Sequence, residues 1–197
     1  MSDITKFCNT NDPRSFMARP VRRNGFLYAT NGHVAVRMID DPTVDDVECD
    51  ATGPAVKMLD GFSPAEFTWH PIPEIRGARP CFMCSGSGRA KPCTDCDGEG
   101  EFDHGRHTYR CQECGGSGEV GASASDGMCD CDHCAGTGID PYEGLDVGIA
   151  HYAKRYLKLI GETFPGAELG VPSGELSVAM WRCGDVIGAL SPMRRPQ

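Results

Sequence analysis

The chain contains no run of about 18 apolar residues, which excludes a membrane-spanning helix on sequence grounds. It is short of aromatic residues, with two Trp, five Tyr and eight Phe in 197 positions, and short of basic ones, with 19 Lys and Arg against 28 Asp and Glu. The formal net charge of −9 at pH 7 argues against a general nucleic-acid binder, because neutralising phosphates needs a basic surface. The opening MSDITKFCNTNDPR lacks a basic region followed by an apolar stretch and a cleavage site, so a cytoplasmic protein with reduced thiols is expected. No Ser/His/Asp set, no paired carboxylates in a recognisable context and no phosphate loop stand out, and no enzymatic activity is expected.

Cysteine, by contrast, is plentiful. Eight of the twelve cysteines fall in four copies of Cys-x-x-Cys-x-Gly-x-Gly. The copies begin at Cys81-Phe-Met-Cys84, Cys93-Thr-Asp-Cys96, Cys111-Gln-Glu-Cys114 and Cys131-Asp-His-Cys134. A single Cys-x-x-Cys suits redox chemistry, but four with the same following glycines supply eight thiolates in two tetrahedral sets, the ligand chemistry of structural zinc. Four sulfurs close each site and leave no position for a reactive water. The glycines Gly86, Gly88, Gly98, Gly100, Gly116, Gly118, Gly136 and Gly138 let the chain leave each knuckle turn through conformations costly for other residues. Spacing alone allows adjacent pairing of the knuckles or nested pairing, inner with inner and outer with outer.

Metal is also what this segment needs energetically. Phe82, Phe102, Tyr109 and Val120 are nearly its only large apolar residues. They are too few to offset the ordering of roughly 58 residues at about 1–2 kcal/mol each. A structural zinc site contributes an apparent ~10–16 kcal/mol, so two such sites are of the size required. Between Cys81 and Gly138, four basic side chains (Arg89, Lys91, Arg106, Arg110) stand against ten acidic ones. Each dication held by four thiolates leaves a further charge of about −2, so the segment repels phosphate.

Composition divides the chain into residues 1–80, 81–138 and 139–197. In the first part, Phe26–Thr30 and His33–Ile39 flank Asn31-Gly32, which predicts a β-hairpin with a type I′ turn. Gly53–Leu59 is expected as a short helix, Asp40–Asp46 as an acidic loop and Phe67–Ile72 as a strand. Pro71, Pro73, Gly77 and Pro80 mark an extended exit. In the last part, Ile149, Tyr152, Ala153, Tyr156, Leu157 and Ile160 recur at helical spacing and predict one amphipathic helix within Tyr142–Glu162. Strands are expected over Glu175–Trp181 and Asp185–Leu190, with a tight turn at Arg182–Gly184. Neither flank alone closes a core, so one α+β domain interrupted by an insertion follows.

The fourfold repeat resembles the cysteine-rich zinc domain of DnaJ-type (Hsp40) co-chaperones over residues 81–138. That resemblance implies nested sites, with one zinc on Cys81, Cys84, Cys131 and Cys134 and the other on Cys93, Cys96, Cys111 and Cys114. It extends no further: His70-Pro71 is followed by Ile72, not by the aspartate of the tripeptide that engages an Hsp70. The flanks resemble one domain of a bacterial sliding clamp. Ala29-Thr30-Asn31-Gly32-His33 is similar to its Ala-Thr-Asp-Gly-His turn, Arg155-Tyr156-Leu157 falls in the matching helix, and Leu190-Ser191-Pro192-Met193-Arg194 stands where clamps end in Met-Pro-Met-Arg-Leu. Asn31 and Ser191 depart from the clamp pattern. A clamp subunit has three such domains and this chain has material for one, so a ring around DNA requires unusual oligomerisation.

The expected architecture is therefore a clamp-like α+β body carrying an extended two-zinc arm built of β-hairpins. The expected function is a non-enzymatic zinc-binding module whose arm contacts another protein, as an accessory of bacterial or phage DNA replication on the clamp resemblance. A second reading, from the DnaJ-type resemblance, is chaperone-like binding of unfolded polypeptide. A third is nucleic-acid binding through Arg19, Arg22 and Arg23, which charge disfavours. Cys129 is read as a free loop thiol, Cys8, Cys49 and Cys183 as scattered thiols, His104, His107 and His133 as surface residues, and His33 as a core or turn histidine.

Overall fold

A computed structural model describes residues 3–10, 12–44 and 54–195. Cys49, part of the acidic Asp40–Asp46 loop and the start of the Gly53–Leu59 helix lie outside the described residues. The arrangement is α+β and mostly strand. The chain divides into two compact units: a body formed by residues 1–76 with 144–197, and a cysteine-rich unit formed by residues 77–143.

The body begins with a 3-10 turn at Ile4–Phe7 and the short helix α1 (Ser15–Ala18). Strands β1 (Val21–Arg23), β2 (Phe26–Thr30) and β3 (Val34–Ile39) follow, then helix α2 (Pro54–Asp60) and strand β4 (Thr68–Pro71). The cysteine-rich unit supplies β5 (Arg89–Pro92), β6 (Glu101–His104), β7 (His107–Arg110), β8 (Glu119–Ala122) and β9 (Cys129–Asp130). The body resumes with β10 (Gly144–Val147), β11 (Ala150–Ala153), helix α3 (Lys154–Thr163), β12 (Glu168–Val171), β13 (Ala179–Cys183) and β14 (Val186–Leu190).

One antiparallel sheet organises the body in the order β1-β2-β3-β14-β13-β12-β4. Its seam is the pairing of β3 with β14, where Ala35 faces Ala189 and Val34 faces Leu190. At the far end β4 pairs with β12, Leu169 opposite His70. The N-terminal and C-terminal stretches thus complete each other's sheet at two places.

Strand alternation sorts side chains to two faces. On one face Leu27, Val36, Leu169, Trp181 and Leu190 join Phe7 and the apolar side of α3. Trp181 is fully buried, with the Phe164 ring centroid at 5.1 Å and that of Phe7 at 5.9 Å. Helix α3 has no side-chain cap at Ala153 and holds through packing of Tyr156, Leu157 and Ile160. Each such side chain buried contributes about 1.5–3 kcal/mol. On the opposite face Tyr28, Ala35, Met180 and Ile187 pack with Val56 and Leu59 of α2.

Several expectations are corrected. The segment predicted as helix from Tyr142 is a hairpin, β10 with β11, and helix begins only at Lys154. Gly148, with φ +60°, turns the chain between Val147 and Ala150, and the buried Val147, Ala150 and Tyr152 satisfy a strand pattern as well as a helical one. The Asn31-Gly32 hairpin forms, but only Gly32 has positive φ (+88°), at the first central position. Asn31 does not take a positive φ, and it accepts from the amides of His33 and Val34 through Oδ1 at 3.0 and 3.1 Å. The type I′ turn occurs instead at Asn24-Gly25 (φ +50° and +78°), between β1 and β2. Near the C-terminus the strand predicted from Glu175 starts at Ala179, after a turn closed by Ser177 N–H to Gly174 O, and the hairpin turn is Gly184-Asp185.

Candidate metal centres

Each repeat folds into the same knuckle. The first glycine donates its amide to the first cysteine's carbonyl: Gly86 to Cys81 at 3.2 Å, Gly98 to Cys93 at 3.0 Å, Gly116 to Cys111 and Gly136 to Cys131 at 3.1 Å. The second glycine donates to the second cysteine's sulfur, Gly88 to Cys84 and Gly100 to Cys96 at 3.2 Å, Gly118 to Cys114 and Gly138 to Cys134 at 3.3 Å. An amide aimed at sulfur favours the thiolate form, as a metal ligand requires. The residue after the second cysteine turns left-handed in every copy, at Ser85, Asp97, Gly115 and Ala135.

Backbone bonds pair the knuckles. Cys81 N–H donates to Gly138 O at 2.8 Å and Cys131 N–H to Gly88 O at 2.9 Å, joining the first repeat to the fourth. Cys93 N–H to Gly118 O and Cys111 N–H to Gly100 O, both 2.8 Å, join the second to the third. The approach is close enough that a Cβ at Gly88 would collide with Gly136 O, and one at Gly138 with Gly86 O.

This pairing gathers Cys81, Cys84, Cys131 and Cys134 into one set and Cys93, Cys96, Cys111 and Cys114 into another, the ligand atoms of each within 4.8 Å of one another. None of the eight residues is more than 7% exposed. The Sγ–Sγ distances Cys84–Cys134, Cys93–Cys111 and Cys96–Cys114 are each 3.8 Å. A disulfide would bring sulfurs to about 2.05 Å. A tetrahedron with metal–sulfur bonds of about 2.3 Å has an edge of about 3.8 Å. Two buried four-cysteine groups are therefore present, each able to hold a metal ion and compatible with zinc.

Electrostatics lead to the same conclusion. Against burial, which raises it, the Cys84 thiol is drawn down to about 7 by the Gly88 amide and the neighbouring Cys81, Gly86 and Cys134 groups. Cys114 is drawn to about 6 in the same way, against burial, by the Gly118 amide, Cys111, Gly116 and Cys96. Burial pushes Cys93 up to about 12 and also raises Cys134. Within each set one thiol is thus drawn down while two others are pushed up, a conflict that a cation at the centre would remove.

Short strands support the sites. Strand β5 lies between β8 and β9, and its Ala90 is buried among the cysteines of the first set. Arg89 reaches Asp130 at 2.6 Å and Gly127 O at 3.1 Å, while Ser87 donates to Ala122 O at 2.6 Å. Val120 on β8 covers the second set. The hairpin of β6 with β7 is exposed throughout.

The remaining candidates are elsewhere. Among the described residues no other group of three His, Cys, Asp or Glu side chains comes within ligand distance. Cys129 is half-buried beside Ala90 O and Glu119, both at 3.5 Å, outside the four-cysteine sets. Cys8 and Cys183 belong to the body. His104 and His107 are exposed, directly opposite each other across β6 and β7. His133 differs from expectation: it is half-buried, its Nε2 is enclosed with no hydrogen-bond partner, and it packs edge-to-face with Phe82 at 4.5 Å and Tyr142 at 5.8 Å. No spacing rule would have joined Phe82, His133 and Tyr142, since the nested pairing brings them together.

In the body, the Asn31-Gly32 turn, helix α3 and the segment after β14 meet. The His33 ring stacks on Tyr156 at 6.0 Å, Asn31 Nδ2 donates to Tyr156 Oη at 3.4 Å, and Ser191 N–H donates to His33 O at 2.8 Å. A largely apolar cavity of about 300 Å³ adjoins them, its lining including Met17, Thr30, Gly32, Val56 and Leu59. Comparison with protein-family models, with curated proteins and with solved structures found no match. Among the described residues no helix is long and apolar enough to cross a membrane.

Proposed function

We propose that this protein is a non-enzymatic interaction module in which Cys81, Cys84, Cys131 and Cys134 hold one structural Zn²⁺ and Cys93, Cys96, Cys111 and Cys114 a second. The observation that carries the reading is the pair of buried four-cysteine groups with 3.8 Å sulfur spacing. Four sulfurs leave no open coordination position, which suits stabilisation and not catalysis. Zinc then organises a surface with few apolar contacts of its own, and that surface meets a partner protein.

The body is proposed to be clamp-like, supported by the meeting of Asn31, His33, Tyr156 and Ser191. On that ground the protein is assigned to the accessory proteins of bacterial or phage DNA replication. A photo-crosslinking residue placed at Phe102 of the full chain in its native host tests the interaction reading. Discrete protein adducts support it, whereas nucleic-acid adducts alone, or none, overturn it.

One observation favours a second reading. Phe82, Phe102, Tyr109, Met128 and Tyr142 of the cysteine-rich unit are all exposed, as a surface handling unfolded polypeptide would be. Suppression of aggregation of a denatured client by the zinc-loaded protein would select the chaperone-like reading over a dedicated partner. Nucleic-acid binding through the flanking arginines is tested by salt-sensitive retention of DNA.

A further inference from the structure

Phe82 and Tyr142 are 67% and 69% exposed, more than Phe102 and Tyr109 of the same unit at 45% and 48%. They are not scattered. Phe82 belongs to the first knuckle, His133 to the fourth, and Tyr142 follows the fourth, yet the rings touch through His133 with interplanar angles of 66° and 62°. The backbone fixes this juxtaposition: Pro80 pairs with Ile139, Asp140 N–H donates to Arg79 O at 2.9 Å, and Tyr142 N–H donates to Asp140 Oδ1 at 2.9 Å. Two large rings held open to water beside a rigid centre form a patch, not an unfinished core.

The unit that carries the patch is acidic overall. Residues 77–143 carry five basic side chains against twelve acidic ones, and Asp132 and Glu143 adjoin His133 and Tyr142 in sequence. Two of the five cations are engaged, Arg79 with Asp140 at 3.0 Å and Arg89 with Asp130 at 2.6 Å. Aromatic faces in a negative field select cations that shed water easily, and the guanidinium group stacks on rings more readily than an ammonium does.

We infer that the Phe82–His133–Tyr142 patch is a docking surface for an arginine-bearing segment of a partner protein. This rests on the reading of the cysteine-rich unit as a protein-interaction module and names the chemistry of its partner. The guanidinium groups lie on the rings while the acidic surroundings draw the segment in, and the metal centre holds the two knuckles that present the rings.

The test uses the full metal-loaded chain and an eight-residue peptide alternating arginine and leucine, with a glutamate–leucine peptide as control. Binding is followed by NMR at the ring resonances of Phe82, His133 and Tyr142, and metal content is measured on every sample. The arginine peptide is expected to shift those resonances, to bind more weakly as salt rises, and to lose about tenfold in affinity in Phe82→Ser/Tyr142→Ser with two metals retained. Tyr142→Ser alone, which lies outside the repeats, gives an intermediate loss. Equal binding of the glutamate peptide, an unaffected double variant, or a metal-loaded protein that ignores the arginine peptide overturns this inference alone. A purified chain without metal overturns the zinc reading and this one together.

Discussion

The backbone amide of Cys81 donates to the carbonyl of Gly138 at 2.8 Å, joining the first residue of the first repeat to the last residue of the fourth. Its counterpart, Cys131 to Gly88 at 2.9 Å, makes the contact reciprocal, and the second site repeats both bonds. Nesting is thus written in the backbone as well as in the sulfurs.

The glycines at this crossing admit no side chain. Gly138→Ala drives a Cβ into Gly86 O, whereas Gly105 at the β6–β7 turn has open space around it. Gly138→Ala should abolish the first site and spare the second, so that cadmium-113 NMR of the substituted protein falls from two resonances to one. Gly118→Ala, which meets Gly98 O, should abolish the other site. Gly105→Ala should keep both, at a cost of about 1 kcal/mol for its left-handed φ of +66°.

Metal removal should separate the two units. The core of the body contains no cysteine from either set, and both tryptophans, Trp69 and Trp181, belong to the body. Stripping metal with an organomercurial is expected to collapse the amide resonances of residues 77–143 into the narrow unfolded range while tryptophan fluorescence stays unchanged. A shift in tryptophan emission together with metal loss would show that the body depends on the metal.

Trp181 is the load of the body's core, enclosed by Phe7 and Phe164. Trp181→Ala should destabilise the body by about 3–5 kcal/mol, read from denaturant unfolding, with metal stoichiometry unchanged. Gly188→Ala is expected to perturb the same place, because its Cβ meets the Trp181 ring and Ala35 O.

His33 supplies a pH dependence. Burial, and then the charge of Arg155, hold its pKa below the usual ~6.5. The unfolded chain therefore takes up a proton more readily than the folded one. Stability from this residue is intact above about pH 6.5 and declines as pH falls below it, levelling once the folded imidazole protonates. His33→Gln should flatten the fall in melting temperature between neutral and mildly acid pH. A His33 ring titrating at or above 6.5 by NMR would contradict the assignment.

Much of the cysteine grouping was legible because Cys-x-x-Cys-x-Gly-x-Gly encodes a local object. Each knuckle closes within eight residues, so spacing alone singles out the eight cysteines that gather, while the nested pairing was implied by the family resemblance and spacing left it open. The body was harder to read. Phe26–Thr30 and the strand after it announce themselves by alternation around a turn, but the residues from Gly144 to Ala153 satisfy two periods at once. Val147, Ala150 and Tyr152 fit a helix continuous with Tyr156, and only the left-handed Gly148 separates hairpin from helix. Strand β12 escaped notice because Glu168–Val171 is short and is stabilised by distant partners, β4 and β13. The Phe82–His133–Tyr142 contact is likewise a product of long-range pairing.

The central claim is two nested zinc sites of four sulfurs each, and X-ray absorption at the zinc edge, with metal quantification on protein purified without oxygen, tests it most directly. Two zinc ions per chain are expected, each surrounded by four sulfurs at about 2.3 Å. Fewer than two metals, nitrogen or oxygen ligands in place of sulfur, or disulfides among these eight cysteines would contradict the account.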